Sequence, residues 1–184
     1  MTAIFNYTQR NTECLVDIAT EVIQLLTRMG ETIAVAESLT GGGLMAALTS
    51  VPGASATFRG GIVSYATPLK QQLLNVDADL IAREGVIHGD VATQMAEGAR
   101  RVSTFDDNPT TWGIATTGVA GPASQDGKPV GTVFIGIASP HRSYSLGPFH
   151  FTGPRERIRE ATVIEALWQM REILRGRSEE KNRG

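Results

Sequence analysis

The stretch Val35-Ala36-Glu37-Ser38-Leu39-Thr40-Gly41-Gly42-Gly43 limits what this chain can fold into more than any other, because it joins two incompatible local habits. Before it, Thr32-Ile33-Ala34-Val35-Ala36 is too short for a buried helix and has the β-branched content of an interior strand. After it, Leu44-Met45-Ala46-Ala47-Leu48 suits a helix. Ser38 therefore falls on a strand-to-helix turn. Three glycines at a helix start remove the side chains that would keep a ligand from backbone N–H groups, which the first turn leaves without intrahelical partners. Such donors at Thr40, Gly41 and Gly42 can hold an anion, or the oxyanion of a tetrahedral intermediate, beside the Ser38 hydroxyl. The same residues permit a plainer assignment, in which Ser38 or Thr40 caps the helix and the glycines form a tight connection. No G-x-S-x-G elbow, G-x-x-x-x-G-K-[ST] loop or G-x-G-x-x-G accompanies the stretch.

The rest of the chain supplies layers for that turn. Residues 1–10 carry little pattern and are expected to be a loose lead-in. Leu15, Ile18, Val22, Leu25, Leu26 and Met29 recur at helical spacing, with Asn11 or Thr12 as cap and Gly30 as the stop. Cys14 falls in this pattern and is expected to be buried as a small apolar residue. Residues 58–66 read as a second strand, which Gly60-Gly61 bulges or brings close to another backbone. Thr67 suits a cap and Pro68 a first helical position, which makes Lys70 a first-turn residue. A cation there opposes the helix dipole, and burial would further disfavour the ammonium; a solvated surface lysine is the plain alternative.

A short helix capped by Asp77 and stopped by Gly85 follows, then a helix from His88 or Gly89 to Val102. His88 has no second His or Cys at ligand spacing, so it reads as structural and no metal is expected. A strand over 111–116 opens into a long loop over 117–129, of the length that commonly carries function. Strands over 130–139 and 143–151 are separated only by Pro140-His141-Arg142, a link that can join only antiparallel neighbours, so the sheet must be mixed. A helix begins at Pro154. Arg155 and Arg159 crowd its start against the dipole, a misfit that a docked anion, or Glu156 and Glu160, would relieve. Residues 175–184 are expected to be a frayed tail.

Composition bounds the function. The 184 residues suffice for one domain over 1–184 with a sizeable core. A net charge of −2 gives no electrostatic support to a nucleic-acid or membrane role, so an anion site must be local. The single cysteine excludes an internal disulfide and a thiolate metal cluster. With no apolar run of membrane length, the cytoplasm is the expected compartment. The expected architecture is a three-layer α/β/α sandwich around a mixed, mostly parallel sheet of about five strands with a C-terminal antiparallel hairpin.

Four segments extend the reading. Ala36-Glu37-Ser38-Leu39-Thr40-Gly41-Gly42 resembles the A-E-S-x-T-G-G signature of the CinA C-terminal domain family, whose characterised members are nicotinamide-nucleotide amidases. Tyr65 and Lys70 resemble its Y-x-x-x-x-K element. Thr117-Gly118, Ala120-Gly121-Pro122 and Pro129-Val130-Gly131-Thr132-Val133 resemble its T-G-x-A-G-P and P-V-G-T-V elements, with Ala123 and Ser124 where many relatives have glycines. Phe151 to Arg159 resembles F-x-G-D-R-x-x-[VI]-R, with Pro154 in place of the aspartate, and His88 stands where relatives usually have a capping serine.

The resemblance implies hydrolysis of the carboxamide of nicotinamide mononucleotide to nicotinate mononucleotide and ammonia. Ser38 would be the nucleophile and Lys70 the base, directly or through Tyr65. Thr117, Gly118 and Arg155, with Arg159 as a further candidate, would hold substrate, and Glu37 would orient the lysine or the substrate ribose. It implies a small nucleotide substrate, no cofactor, no nucleic-acid or membrane partner, and a homodimer as the default assembly. Two other functions fit the same residues: a non-catalytic nucleotide-binding or regulatory module linked to competence or DNA damage, and a serine amidase for a different small amide.

Overall fold

Strand β1 (Ile33–Glu37) is buried along its whole length and its side chains divide by size. Ile33 and Val35 point to one face and Ala34 and Ala36 to the other, following the two-residue period of a strand. The computed structural model describes residues 13–183, with side chains to 179. The expectations for residues 1–10 and for an Asn11 or Thr12 cap lie outside them. The larger β1 residues meet α1 (Leu15–Met29), α2 (Gly43–Thr49) and α6 (Arg155–Arg183), in a core shared with Ile18, Leu26, Leu44, Ile158 and Leu167.

The alanine face meets α4 (Ala78–Glu84) and α5 (Gly89–Val102). There α5 lies nearly on the sheet. A Cβ added at Gly113 would strike the Ala96 carbonyl, and one at Gly136 the Ala92 carbonyl. Small residues on this face are therefore what allow close approach.

The sheet order is β2-β1-β3-β4-β5, with β2 (Phe58–Val63), β3 (Trp112–Gly118), β4 (Thr132–Ala138) and β5 (Ser143–His150). β1 pairs parallel with both β2 and β3, whereas β3–β4 and β4–β5 are antiparallel. A mixed five-stranded sheet with helices on both faces is as expected, but it is half parallel rather than mostly so. The β4–β5 pair is not C-terminal either, since α6 follows it. The glycine pair in β2 does both things expected of it. Pairing slips between Ile33 and Ala34, where Gly60 has φ 133°, and a Cβ on Gly61 would strike the Val35 carbonyl.

Gly30 ends α1 in the left-handed conformation (φ 66°). Cys14 occupies the N-cap position of α1 and is exposed, not buried; the neighbouring Leu15 packs against the core, and the first fully buried residue of the helix is Ile18. The expected frayed tail is also overturned: α6 runs to Arg183. Ion pairs from Arg175 to Glu21 in α1 (2.7 Å) and from Arg171 to Glu13, just before α1 (2.8 Å), hold α6 down, and Arg177 reaches Glu31 (3.0 Å). Pro154 sits just before α6 and its carbonyl accepts from Ile158 N–H, so the helix start tolerates its departure from the family pattern. Ala123 and Ser124 are likewise accommodated, because the left-handed positions of their loop fall at Gly121, Asp126, Gly127 and Gly131.

Candidate active site

The carboxyl ends of the three parallel strands meet where the chain leaves β1 for β2 on one side and has β3 on the other. This is where an open α/β sheet offers a crevice for a ligand. Ser38 follows β1 directly, and its N–H is fixed by the Thr116 carbonyl of β3 (3.1 Å). Lys70 comes from α3 (Thr67–Gln72). That helix starts one residue earlier than expected, with Ala66 as N-cap and Pro68 second.

Lys70 Nζ donates to Ser38 Oγ (3.1 Å) and to the Ser64 carbonyl (2.6 Å). The side chain is 1% exposed, and burial lowers its pKa from 10.5 to about 8. The expected dipole argument does not apply, because a six-residue helix puts Lys70 in its last turn as well as near its first. Desolvation alone carries the shift. Ser64 escaped the sequence reading, since a main-chain acceptor leaves no mark in residue identity.

Tyr65 does not bridge the pair. It is exposed, and its hydroxyl accepts from Arg155 Nη2 (2.6 Å), while Arg155 Nη1 donates to the Gly121 carbonyl (2.7 Å). Arg155 thus links the β2–α3 connection to the 119–131 loop across the mouth of the cleft. Val86, Ile87, Gly118, Val119 and Ala120 border the cleft with Ser38 and Arg155, the side chains of Val86, Ile87 and Val119 being buried against one another. Asp126 pins the loop from behind, accepting from Val86 N–H (2.8 Å).

Several predicted site residues do other work. Glu37 is fully buried, and its carboxylate accepts from the N–H groups of Gly42 (2.9 Å), Leu44 (3.1 Å) and Met45 (2.8 Å). It touches neither the lysine nor the cleft, because strand alternation sends it to the same face as Ile33 and Val35, where α2 begins. The anion site foreseen at this helix start exists, and the chain fills it with its own carboxylate. Gly41 and Gly42 are consequently not available as oxyanion donors: Gly41 N–H donates to the Ser38 carbonyl (3.1 Å) and Gly42 N–H to Glu37. Neither Ser38 nor Thr40 caps α2; Thr40 Oγ1 bonds Thr116 Oγ1 instead (2.8 Å).

Thr117 turns away from the cleft and donates to the Val86 carbonyl (2.7 Å). Arg159 lies behind the Ser38 turn, donating through Nε to Leu39 O and through Nη2 to Thr40 O, each 3.0 Å. Its place one turn after Arg155 puts it on the α2 side, so it braces the turn and cannot reach a molecule in the cleft. His88 caps α5, accepting from Asp90 N–H through Nδ1 (3.2 Å), in keeping with its structural reading. Among the described residues no cluster of metal-ligating side chains occurs, and no helix is long and apolar enough to cross a membrane.

A three-layer α/β/α domain with a serine hydroxyl and a buried lysine amine in contact at one cleft is the class these features define. The sequence matches the CinA C-terminal domain over residues 15–174, and the chain belongs to that family. It is 49% identical over 156 residues to a CinA-like protein of Frankia casuarinae, covering 84% of this chain and 34% of that protein. A putative competence-damage inducible protein of Desulforamulus reducens is 43% identical, covering 84% of this chain and 36% of that one. The chain thus spans about a third of the length of these curated relatives. Solved structures cover most of it. A competence-damaged protein (CinA) superfamily protein from Klebsiella pneumoniae superposes with a TM-score of 0.83 at 27% identity, covering 89% of this chain and 99% of that one. A competence/damage inducible protein from Agrobacterium tumefaciens gives 0.79 at 29% identity, covering 95% and 99%.

Proposed function

We propose that the protein is an amidohydrolase that converts the carboxamide of nicotinamide mononucleotide to the carboxylate, releasing ammonia. The observation that carries this reading is the 3.1 Å contact between the Ser38 hydroxyl and a buried lysine amine whose pKa is about 8. At that pKa about a tenth of the amine is neutral at pH 7, against fewer than about one in a thousand for an ordinary lysine. A neutral amine can take the hydroxyl proton.

Ser38 Oγ bonds to the carboxamide carbon as its proton passes to Lys70 Nζ, and the carbonyl becomes an oxyanion. The C–N bond then breaks, with the Lys70 proton going to the leaving nitrogen as ammonia. Water attacks the acyl-serine ester, Lys70 accepts a proton from it and returns that proton to Ser38 Oγ, and the carboxylic acid so formed loses its proton to solvent and departs as the carboxylate. Only protein groups and water are used. Arg155, held at the mouth by a phenol and a carbonyl and in no ion pair among the described residues, suits a phosphate.

Ammonia release from nicotinamide, its riboside and its mononucleotide tests the proposal. The mononucleotide is expected to be turned over best, and Ser38→Ala, with folding verified by circular dichroism, to be inactive. Full activity in Ser38→Ala removes the acyl-enzyme scheme. Turnover of all three at one rate removes the phosphate site, and tight binding without turnover marks a nucleotide-binding module instead.

A further inference from the structure

Buried backbone N–H groups almost always have a partner, so the exceptions near a nucleophile call for explanation. In the turn after β1, the N–H groups of Ser38, Gly41, Gly42 and Gly43 are all hydrogen-bonded. Those of Leu39 and Thr40 have no partner among the described residues, although the two residues are only 4% and 1% exposed. They are the two donors immediately following Ser38, and Leu39 lines the cleft beside it.

Their direction is set by their own carbonyl neighbours. In a trans peptide the N–H points opposite to the C=O of the same unit. The Ser38 carbonyl is drawn back by Gly41 N–H, which turns the Leu39 N–H the other way. The Leu39 carbonyl is drawn by Arg159 Nε, and the Thr40 N–H accordingly faces away from that guanidinium. Arg159 Nη2 holds the next carbonyl, that of Thr40, so one planar fork fixes two successive peptide units. The guanidinium also packs on Gly41, where a Cβ would lie 3.1 Å from Nη2.

We propose that the N–H groups of Leu39 and Thr40 are the oxyanion donors of the site, and that Arg159 is the positioning residue that aims them from behind. This rests on Ser38 acting as nucleophile. It keeps the Thr40 donor expected from the sequence and replaces those of Gly41 and Gly42, whose N–H groups are already used, with that of Leu39.

The test uses a small alkyl fluorophosphonate, which reacts with an activated serine whatever the natural substrate. The Ser38 Oγ–P bond forms, the P–F bond breaks with loss of fluoride, and the hydroxyl proton goes to Lys70; the phosphonyl oxygen then occupies the oxyanion position. In Arg159→Lys, which keeps the charge but loses the fork, labelling and amide turnover should both fall by about 10- to 100-fold through kcat with KM little changed. The pH dependence set by Lys70 should keep its midpoint near 8. Added guanidinium should restore part of the rate in Arg159→Ala.

A second measurement needs no variant. In the amide spectrum of the wild-type protein, forming the phosphonyl adduct should move the Leu39 and Thr40 N–H protons downfield and leave those of Gly41 and Gly42 in place. Wild-type labelling with unchanged Leu39 and Thr40 shifts, or with the glycines shifting instead, overturns this proposal while leaving Ser38 as nucleophile. Wild-type labelling and turnover matched by Arg159→Lys removes Arg159 from its positioning role. Failure of the wild type to label at all overturns the nucleophile reading, and this proposal with it.

Discussion

Glu37 and Lys70 are buried ionisable side chains on either side of Ser38, and the fold treats them in opposite ways. The carboxylate of Glu37 meets three backbone N–H groups at the start of α2, where the helix dipole favours a negative charge. The amine of Lys70 meets one carbonyl and one hydroxyl, with no carboxylate. The first charge is compensated and locks the turn that carries the nucleophile. The second is left under-solvated, and an amine in that state gives up its proton readily. The two are joined through Ser64, whose N–H donates to the Glu37 carbonyl (2.8 Å) and whose own carbonyl receives Lys70. A reactive amine is thus anchored to a rigid, fully satisfied neighbour, a division of labour expected where geometry must be held while a charge is kept unstable.

The sharpest way to break this contrast is Lys70→Met. Turnover should fall by about 1,000-fold, within the usual range for a positioned base. Stability at pH 7 should rise by as much as about 3 kcal/mol, the size of a shift from 10.5 to about 8. Ammonia release and urea unfolding measured on the same preparation read both changes. Loss of activity with no gain in stability would show that the fold does not bear the cost of burying the ammonium. Glu37→Gln should do the reverse on the stability side, losing about 2 kcal/mol, because an amide cannot accept with both ends from three donors. Its turnover should also drop as the Ser38 turn loosens. A variant as stable as wild type would mean that the three N–H bonds contribute little beyond what water offers the unfolded chain.

The pH dependence sharpens the same contrast. Since the folded pKa of Lys70 lies below its unfolded value, both states hold the proton below pH 8 and the burial cost is present in full there. Between about 8 and 10.5 the unfolded chain binds the proton and the folded one does not. Stability should therefore gain from this group as pH rises through that window, and Lys70→Met should lack the gain. Turnover should climb as pH rises toward 8 and level off above it. A midpoint unmoved from the ordinary lysine range would remove desolvation as the activating device.

How much of this was legible in the sequence depends on the range over which each feature is decided. The strand at 33–37, the Gly30 stop and the cap at Asp77 were readable because each is settled within a few residues. The Ser38 and Lys70 candidates could be named, but their meeting is a tertiary event across the β1–β2 edge. Glu37 was misplaced because its partners lie five to eight residues ahead, on a helix start whose orientation no local pattern reveals. Arg159 was misplaced for a related reason. It and Arg155 are separated by about one helical turn, yet one faces the cleft mouth and the other the back of the nucleophile turn. The helical tail was missed because its support, such as Arg175 on Glu21, comes from residues 154 positions away.

Tyr65 provides the smallest expected effect and decides whether the contrast is between two groups or three. The resemblance left open a proton route through its phenol, but that hydroxyl is engaged by Arg155 at an exposed position while Lys70 reaches Ser38 directly. Tyr65→Phe should accordingly lower turnover by no more than about threefold and stability by about 0.5 kcal/mol, the modest worth of an exposed hydrogen bond. Its main consequence should be on KM for the mononucleotide, since Arg155 loses one of its two holds on the cleft mouth. If instead Tyr65→Phe falls as far as Lys70→Met with KM unchanged, the phenol must swing inward during the reaction. The proton would then pass from Ser38 through Tyr65 to the amine, and the 3.1 Å contact would be a resting arrangement rather than the reactive one.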